Sequence, residues 1–274
     1  MPTTARPEVL ATLRFITEHQ SEPLTLAKVA DAVGYSPFHL ARRFKAEVGL
    51  APMQWLAAQR FLRARQLLLG SDASVTDICM EVGFSSLGTF TRRFTGEVGL
   101  GPSEFRRLPD RLHDEPARFA HVPGLDPAGG RLSGRIRFTE AARARVGQDP
   151  VIYIGLFAER AARGRPVCGS HLRGTDVFGF TDIPPGQYWL LASAYADDDP
   201  LRPLTDAWPV AGGTGAPVRI GRGLTSGQQV LMATPGEWAT PITVALPALT
   251  AERTAARPPI PLPVPMHHGV WRPR

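Results

Sequence analysis

The sequence predicts a two-part, multidomain α and β chain: an all-α N-terminal half built from a repeated helix, turn, helix unit, then a C-terminal antiparallel β-sandwich. Three observations carry this expectation. Up to about residue 108, apolar residues recur with helical period, as in Leu26, Val29, Ala30, Val33 and again in Val75, Ile78, Cys79, Val82. Beyond it, short β-branched and aromatic runs such as "RLSGRIRF", "VIYIGLFA", "VFGFTD", "GQYWLLASAY", "APVRI", "QQVLMAT" and "ITVAL" are separated by Gly, Pro and Asp. Third, "GYSPFHLARRFKAEVGLAP" (34–52) returns as "GFSSLGTFTRRFTGEVGLGP" (83–102).

Taken in order, the first short helix opens at Thr25, whose hydroxyl suits an N-cap, and ends at Gly34, where a tight turn needs a permissive backbone. Ser36 starts a second helix and Gly49 stops it. "PMQWLAAQRFLRARQLLL" (52–69), with Pro in its first turn, reads as one helix of 18 residues, about 27 Å long at 1.5 Å per residue. Ser74, with Asp77 three positions on, opens the next helix and Gly83 ends it; Ser85 starts the last helix of the pair and Gly99 stops it. Gly34 and Gly83 lie 83 − 34 = 49 positions apart but Phe44 and Phe94 lie 94 − 44 = 50, so the second copy carries one extra residue. The helical part spans residues 8–108, a Pro- and Gly-rich linker 109–130, the sandwich 131–248 and a Pro-rich disordered tail 249–274.

Charge narrows the function. The 274 residues carry a formal net charge of +6 with a pI near 10.0, which favours a polyanionic partner. Lys28 and Lys45 are the only lysines, so nearly all the cations are arginines, whose planar fork suits bidentate contacts to phosphate and guanine. Cys79 and Cys168 form no spaced set, which argues against a disulfide framework or a zinc finger and for a reducing cytoplasm, with the protein on the nucleoid. The N-terminus shows no apolar leader and no stretch approaches a spanning helix, so no membrane partner is expected. No ordered Ser-His-Asp set, phosphate-cradling glycine loop or carboxylate pair stands out; the chain does not read as an enzyme, and no cofactor or metal is implied. The three carboxylates of "ADDDP" (196–200) and the pair His267, His268 are weak metal hints.

In each second helix, Leu40, Phe44, Val48 and Phe90, Phe94, Val98 fall on one stripe and must face a core. Opposite them project Phe38, Arg42 and Lys45, and Gly88, Arg92 and Thr95. An arginine at the same outward phase in both copies suits major-groove readout, while Arg43 and Arg93 flank it, better placed for phosphate.

At this point "ADAVGYSPFHLARRFKAEVGLAP" and "GFSSLGTFTRRFTGEVGLGPSEFRR" resemble the two motifs of the AraC/XylS family of bacterial transcription regulators. The resemblance implies seven helices, the third and sixth lying in successive major-groove turns of double-stranded DNA. By motif position it implies base contacts from Phe38, Ala41 and Arg42 and from Leu87, Gly88, Thr91 and Arg92. Phosphate contacts are expected from Ser36, His39, Arg43, Lys45, Ser85, Thr89 and Arg93. Leu87 and Gly88 stand where many members place polar readers, so the second unit leans on Arg92 and phosphates. RNA polymerase and a small-molecule effector are the further partners, and monomer and dimer both stay open.

The second half resembles transthyretin-like or carboxypeptidase-regulatory-like β-sandwiches, on "GFTDIPPGQYWLLASAYADDD", read as a closing hairpin. Tyr188, Trp189 and Tyr195 are its candidate effector-pocket residues. A competing resemblance, to GyrI-like effector domains, needs two long amphipathic helices, and after Leu108 only "TEAARARV" (139–146) looks helical. The rival reading makes the sandwich a carbohydrate- or protein-binding module with an architectural, weakly specific DNA-binding attachment.

Overall fold

The computed structural model describes residues 6–110, 121–122, 124–199, 201–206, 208–236, 242 and 244. The first half includes α1 (Pro7–Glu18), α2 (Leu26–Ala32), α3 (Pro37–Val48), α4 (Pro52–Gly70), α5 (Val75–Glu81), α6 (Leu87–Val98) and α7 (Pro102–Arg106). Thr25 caps α2 by accepting the Lys28 N–H, and Ser74 caps α5 by accepting that of Asp77 while its hydroxyl donates to the Asp77 carboxylate at 2.7 Å. Both turns close alike. Gly34 N–H donates to the Asp31 carbonyl and Tyr35 N–H to that of Ala30; Gly83 and Phe84 repeat this on Met80 and Cys79, each glycine at positive φ.

One cap differs from expectation. Ser36 accepts the His39 N–H as predicted, but α6 is capped by Ser86, which accepts from Thr89, and not by Ser85. The extra residue of the second copy sits in the turn, so the extended N-cap position falls one residue later and Ser86 occupies the place of Ser36.

Helix α4 divides its buried face between two cores. Trp55 and Leu56 pack with Val9, Leu13, Ile16, Val29, Leu40 and Phe44 of the first unit; Phe61, Ala64 and Leu68 pack with Ile78, Phe90, Phe94 and Phe105 of the second. Neither unit has a complete core without this shared rod.

The second half contains β1 (His121–Val122), β2 (Gly130–Phe138), α8 (Glu140–Val146), β3 (Val151–Phe157), β4 (Cys168–Leu172), β5 (Val177–Ile183) and β6 (Gly186–Tyr195). It continues through α9 (Arg202–Thr205), β7 (Val210–Gly213), β8 (Val218–Ile220) and β9 (Thr225–Ala233). The short helix expected near 139–146 is α8, capped by Thr139. The antiparallel sandwich is replaced by a different arrangement. The strands follow one hydrogen-bonded path, β1-β4-β3-β6-β7-β9-β2-β5, with β8 added on β6, and β4 lies against β5 near the path's ends, leaving a nearly closed barrel. Moreover β2 and β9 pair in parallel, from Arg131 opposite Thr225 to Phe138 opposite Met232. Gly134 allows this approach, since a Cβ there would lie 1.9 Å from the Gln228 carbonyl oxygen.

Nor is "TDIPPGQY" a hairpin. Strand β5 pairs with β2, whereas β6 pairs with β3, β7 and β8, so the two prolines carry the chain across the barrel between strands that are not partners. His121–Val122, placed in the linker by sequence, adds to β4. The remainder of that linker over 111–120, most of "ITVAL" and the tail with His267 and His268 lie outside the described residues.

The two halves pack together along α4. Arg65, 2% exposed, donates from Nη1 to the Ile242 carbonyl at 2.9 Å and from Nη2 to those of Leu204 at 2.8 Å and Pro203 at 3.2 Å. Leu204 of α9 enters the second unit's core, and Ala161, from the loop joining β3 to β4, enters the first.

On the face of the sheet that carries Tyr153 and Tyr195, His171 of β4 is buried and stacks on Tyr153 with ring centroids 4.8 Å apart. Burial, with nearby Arg173 adding to it and Asp197 opposing, lowers its pKa to about 4. The unfolded chain therefore takes up this proton near its ordinary pKa, about 6.5, while the native state resists it. Stability should fall by up to about 3 kcal/mol as pH drops from roughly 6.5 to 4. In urea titrations at pH 7 and pH 5, His171→Phe, which keeps a ring against Tyr153, should show a smaller loss than the parent. Equal losses would remove His171 from the account.

Candidate nucleic-acid interface

The outward faces of α3 and α6 are built by the repeat itself. Leu40, Phe44 and Val48 are buried, as are Phe90, Phe94 and Val98, so each helix is pinned by one stripe and its opposite face is left to solvent. On that face Phe38 is 78% exposed and Leu87 40%, beside exposed Arg42, Gly88 and Arg92; Ala41 and Thr91 are half-buried. A large apolar ring held in water at the N-terminal end of an otherwise polar helix face has no folding role here. Contact with a thymine methyl is one chemical use for it.

The flanking cations differ between the copies. Arg43 is half-buried, and its Nε is shielded from solvent with no hydrogen-bond partner among the described residues. Arg93 is exposed and its guanidinium lies 5.7 Å from the centre of the Phe84 ring. Tyr35, which corresponds to Phe84, instead stacks on His39 at 5.5 Å. Lys45, Ser36, Ser85 and Thr89 are exposed and His39 half-buried, so all the expected phosphate contacts lie near the two helix faces or their N-terminal ends. The Ser36 hydroxyl is already occupied as a cap.

Arg60 joins the two units and was not foreseen. From α4 its Nε donates to the Gln20 carbonyl at 2.7 Å and its Nη2 to that of Glu22 at 2.5 Å, while the guanidinium lies 5.5 Å from the Phe84 ring centre. Burial, and the repulsion of nearby Arg93, lower its pKa. Two cations on one ring beside α6 make this edge strongly electropositive.

A further pair of contacts comes from a glutamate that the repeat preserves. Glu47, near the end of α3, accepts from the Arg6 backbone N–H and pairs with the Arg6 side chain at 3.1 Å. Glu97, its counterpart in α6, is 8% exposed and takes Arg163 of the barrel half in a two-pronged ion pair, with Arg163 Nε 2.6 Å from Oε2 and Nη2 on Oε1. The recurring "EVGL" was the available signal, but nothing in it identified the partners.

The expected effector residues do not converge on a pocket. Tyr195 is wholly buried among Val151, Tyr153 and Val244, Tyr188 packs against the barrel core with its hydroxyl donating to Pro184, and Trp189 lies under Arg160. A cleft of about 460 Å³ opens elsewhere, where α1 and α4 meet Trp208, lined by Leu13, Arg14, Thr17, Glu18, Trp55, Gln59 and Trp208. Asp197 and Asp198 of the acidic turn are held by Arg173 and Arg202, and no cluster suited to a metal ion occurs among the described residues. No helix among the described residues is long and apolar enough to cross a membrane.

Residues 29–108 match the family model described as a helix-turn-helix domain. The uncharacterized HTH-type transcriptional regulator YobQ of Bacillus subtilis is 31% identical over 96 residues, which are 35% of this chain and 40% of that protein. The regulatory protein PocR of Salmonella typhimurium is 33% identical over 106 residues, 39% of this chain and 35% of that protein. Among solved structures, the DNA-binding domain of AdpA, a global transcriptional factor in complex with a target DNA, is 28% identical with a TM-score of 0.37, covering 41% of this chain and 100% of that one. The chain thus spans two fifths or less of the length of these two curated relatives. The repeated motif thus lies in a helix-turn-helix domain, residues 29–108, that is similar to parts of transcriptional regulators.

Proposed function

We propose that the chain is a sequence-specific DNA-binding transcription regulator that lays α3 and α6 in successive major-groove turns, with the barrel as its sensing or assembly half. One observation carries this reading: two matched helix faces, each with an exposed arginine at the same phase, stand at either end of a single 19-residue helix. At 1.5 Å per residue that rod is about 28 Å long, and with the packing at its ends it suits the roughly 34 Å repeat of the major groove. Arg42 and Arg92 meet guanine edges, Phe38 and Leu87 meet thymine methyls, and Arg43 and Arg93 neutralise phosphates. The cleft bordered by Trp208 supports the sensing role, because a small molecule there would touch both the rod and the barrel.

Selection of bound duplexes from a random pool at about 150 mM salt, where nonspecific attraction is damped, tests the reading. The full-length protein should enrich one motif with two blocks about 10 base pairs apart. Arg42→Ala should lower affinity for the enriched site about 10-fold or more while leaving random duplex binding nearly unchanged. Arg93→Ala should weaken both alike and reduce the salt slope by about one. Equal losses on both duplexes for both variants would sink this division of labour, and absence of any enriched motif would favour an architectural binder.

A further inference from the structure

The loop between β3 and β4 reaches the C-terminal ends of both proposed reading helices. At α3, Arg160 rests on the helix-ending Gly49, close enough that a Cβ there would stand 3.6 Å from its carbonyl oxygen, and the neighbouring Ala161, 3% exposed, packs into the core that holds Leu40, Phe44 and Val48. At α6, Arg163 grips Glu97 through both carboxylate oxygens, and the Gly164 N–H donates to the Glu97 carbonyl at 2.8 Å. Gly164, at φ +62°, fits so closely that a Cβ would lie 2.9 Å from the Gly96 carbonyl oxygen. The same loop is fastened to the barrel. Arg160 covers the Trp189 ring at 5.6 Å, Ala162 packs against the cluster of Val151, Tyr153 and Tyr195, and the Val167 N–H donates to Leu156.

We propose that this loop is a brace that sets the separation of α3 and α6, which makes Arg163 a positioning residue and the barrel a determinant of the half-site spacing the protein accepts. The inference rests on the reading of α3 and α6 as base-reading helices, and it deepens that reading by giving the barrel a part in specificity. Two features distinguish a brace from mere domain packing. The loop touches the C-terminal ends of both helices rather than one, and its grip on α6 is a shielded, two-pronged ion pair. Interfaces of this kind switch between discrete packings rather than deforming smoothly, so a ligand or partner that shifts the barrel would change spacing in steps.

Spin labels on Ala46→Cys and Thr95→Cys, exposed positions on α3 and α6, report the separation in full-length protein without DNA; the native Cys79 and Cys168 are buried. The parent should give one narrow distance distribution. Arg163→Ala should widen it about twofold or more, and Arg163→Lys, which keeps a single charged contact, should recover part of the narrowness. Gly164→Ala, which keeps the ion pair but pushes the loop from α6, should shift the mean and so covers the case in which Arg163→Ala does not fold. In the duplex selection, Arg163→Ala should retain both sequence blocks and relax the spacing between them, a readout that a uniform loss of stability does not move. Unchanged distributions in folded Arg163→Ala and Gly164→Ala would overturn the brace. A parent protein that enriches no two-block motif would overturn the base-reading role of the helices, while the labels would still decide whether the loop holds them.

Discussion

Arg65→Ala is expected to cost about 4 kcal/mol and to split unfolding into two transitions. The Arg65 guanidinium is buried against the Phe105 ring at 5.4 Å and supplies donors to the carbonyls of Pro203, Leu204 and Ile242. Burial lowers its pKa to about 10, so it is charged at neutral pH and its bonds are charge-assisted. Alanine would strip donors from shielded carbonyls and leave a cavity in the seam between α4 and the barrel half, two losses that add. Arg65→Lys should retain part of the stability, since one ammonium cannot span all three oxygens. Urea unfolding followed both by far-ultraviolet circular dichroism and by tryptophan fluorescence reads the result. Coincident transitions with a loss under about 1 kcal/mol would show that the seam is held mainly by its apolar contacts.

The second large effect is expected at Gly83. Gly34 and Gly83 occupy the same place in the repeat, at φ +75° and +87°, yet their surroundings differ. A Cβ at Gly34 meets nothing within 4 Å, so Gly34→Ala should cost only the strain of a left-handed alanine, about 1–2 kcal/mol. At Gly83 the added carbon would stand 2.6 Å from the Ser21 carbonyl oxygen and 2.9 Å from Arg60 Nη2. Backbone must then move, and the overpacking adds about 1–3 kcal/mol to the strain. Gly83→Ala should also loosen the contact between the first unit's 20–22 loop and the second unit's turn. Thermal unfolding of the two variants side by side should rank Gly83→Ala well below Gly34→Ala. Equal shifts would mean that the loop yields freely.

How much of this was legible differs between the halves for a physical reason. In the helical half nearly every determinant is local: a cap and its N–H lie three residues apart, the glycine turns close over five, and a buried stripe repeats every three or four positions. That locality let Thr25, Ser36, Ser74 and the Leu40/Phe44/Val48 face be read directly. The miss at Ser85 came from one inserted residue, which moves a cap without changing the helix period. In the barrel the decisive contacts are remote. Strand pairing was invisible in the alternation of residues, so β5 and β6 looked like a hairpin, and the parallel partnership of β2 with β9 could not be inferred. Strands β4 and β7 were missed because "CGSHL" and "VAGG" are short and glycine-bearing, with little β-branched character. The outward positions on α3 and α6 were legible for the same reason as the helix phase, whereas Arg60, Arg65 and Arg163 act through carbonyls and carboxylates supplied by distant parts of the chain.

The parallel pairing of β2 with β9 also fixes an order of events during synthesis. Residue 131 finds its partner only when residue 225 exists, and Arg65 receives its Ile242 carbonyl later still. At roughly 5–20 residues per second, more than five seconds separate the completion of the helical repeat from the closing of the barrel. Through that interval the repeat is a nascent domain whose α4 seam is not yet covered by a closed barrel. Cotranslational folding therefore produces two chemically identical forms of the helical unit in succession, one whose α4 seam still faces water while the barrel is incomplete and one whose seam the finished barrel has covered.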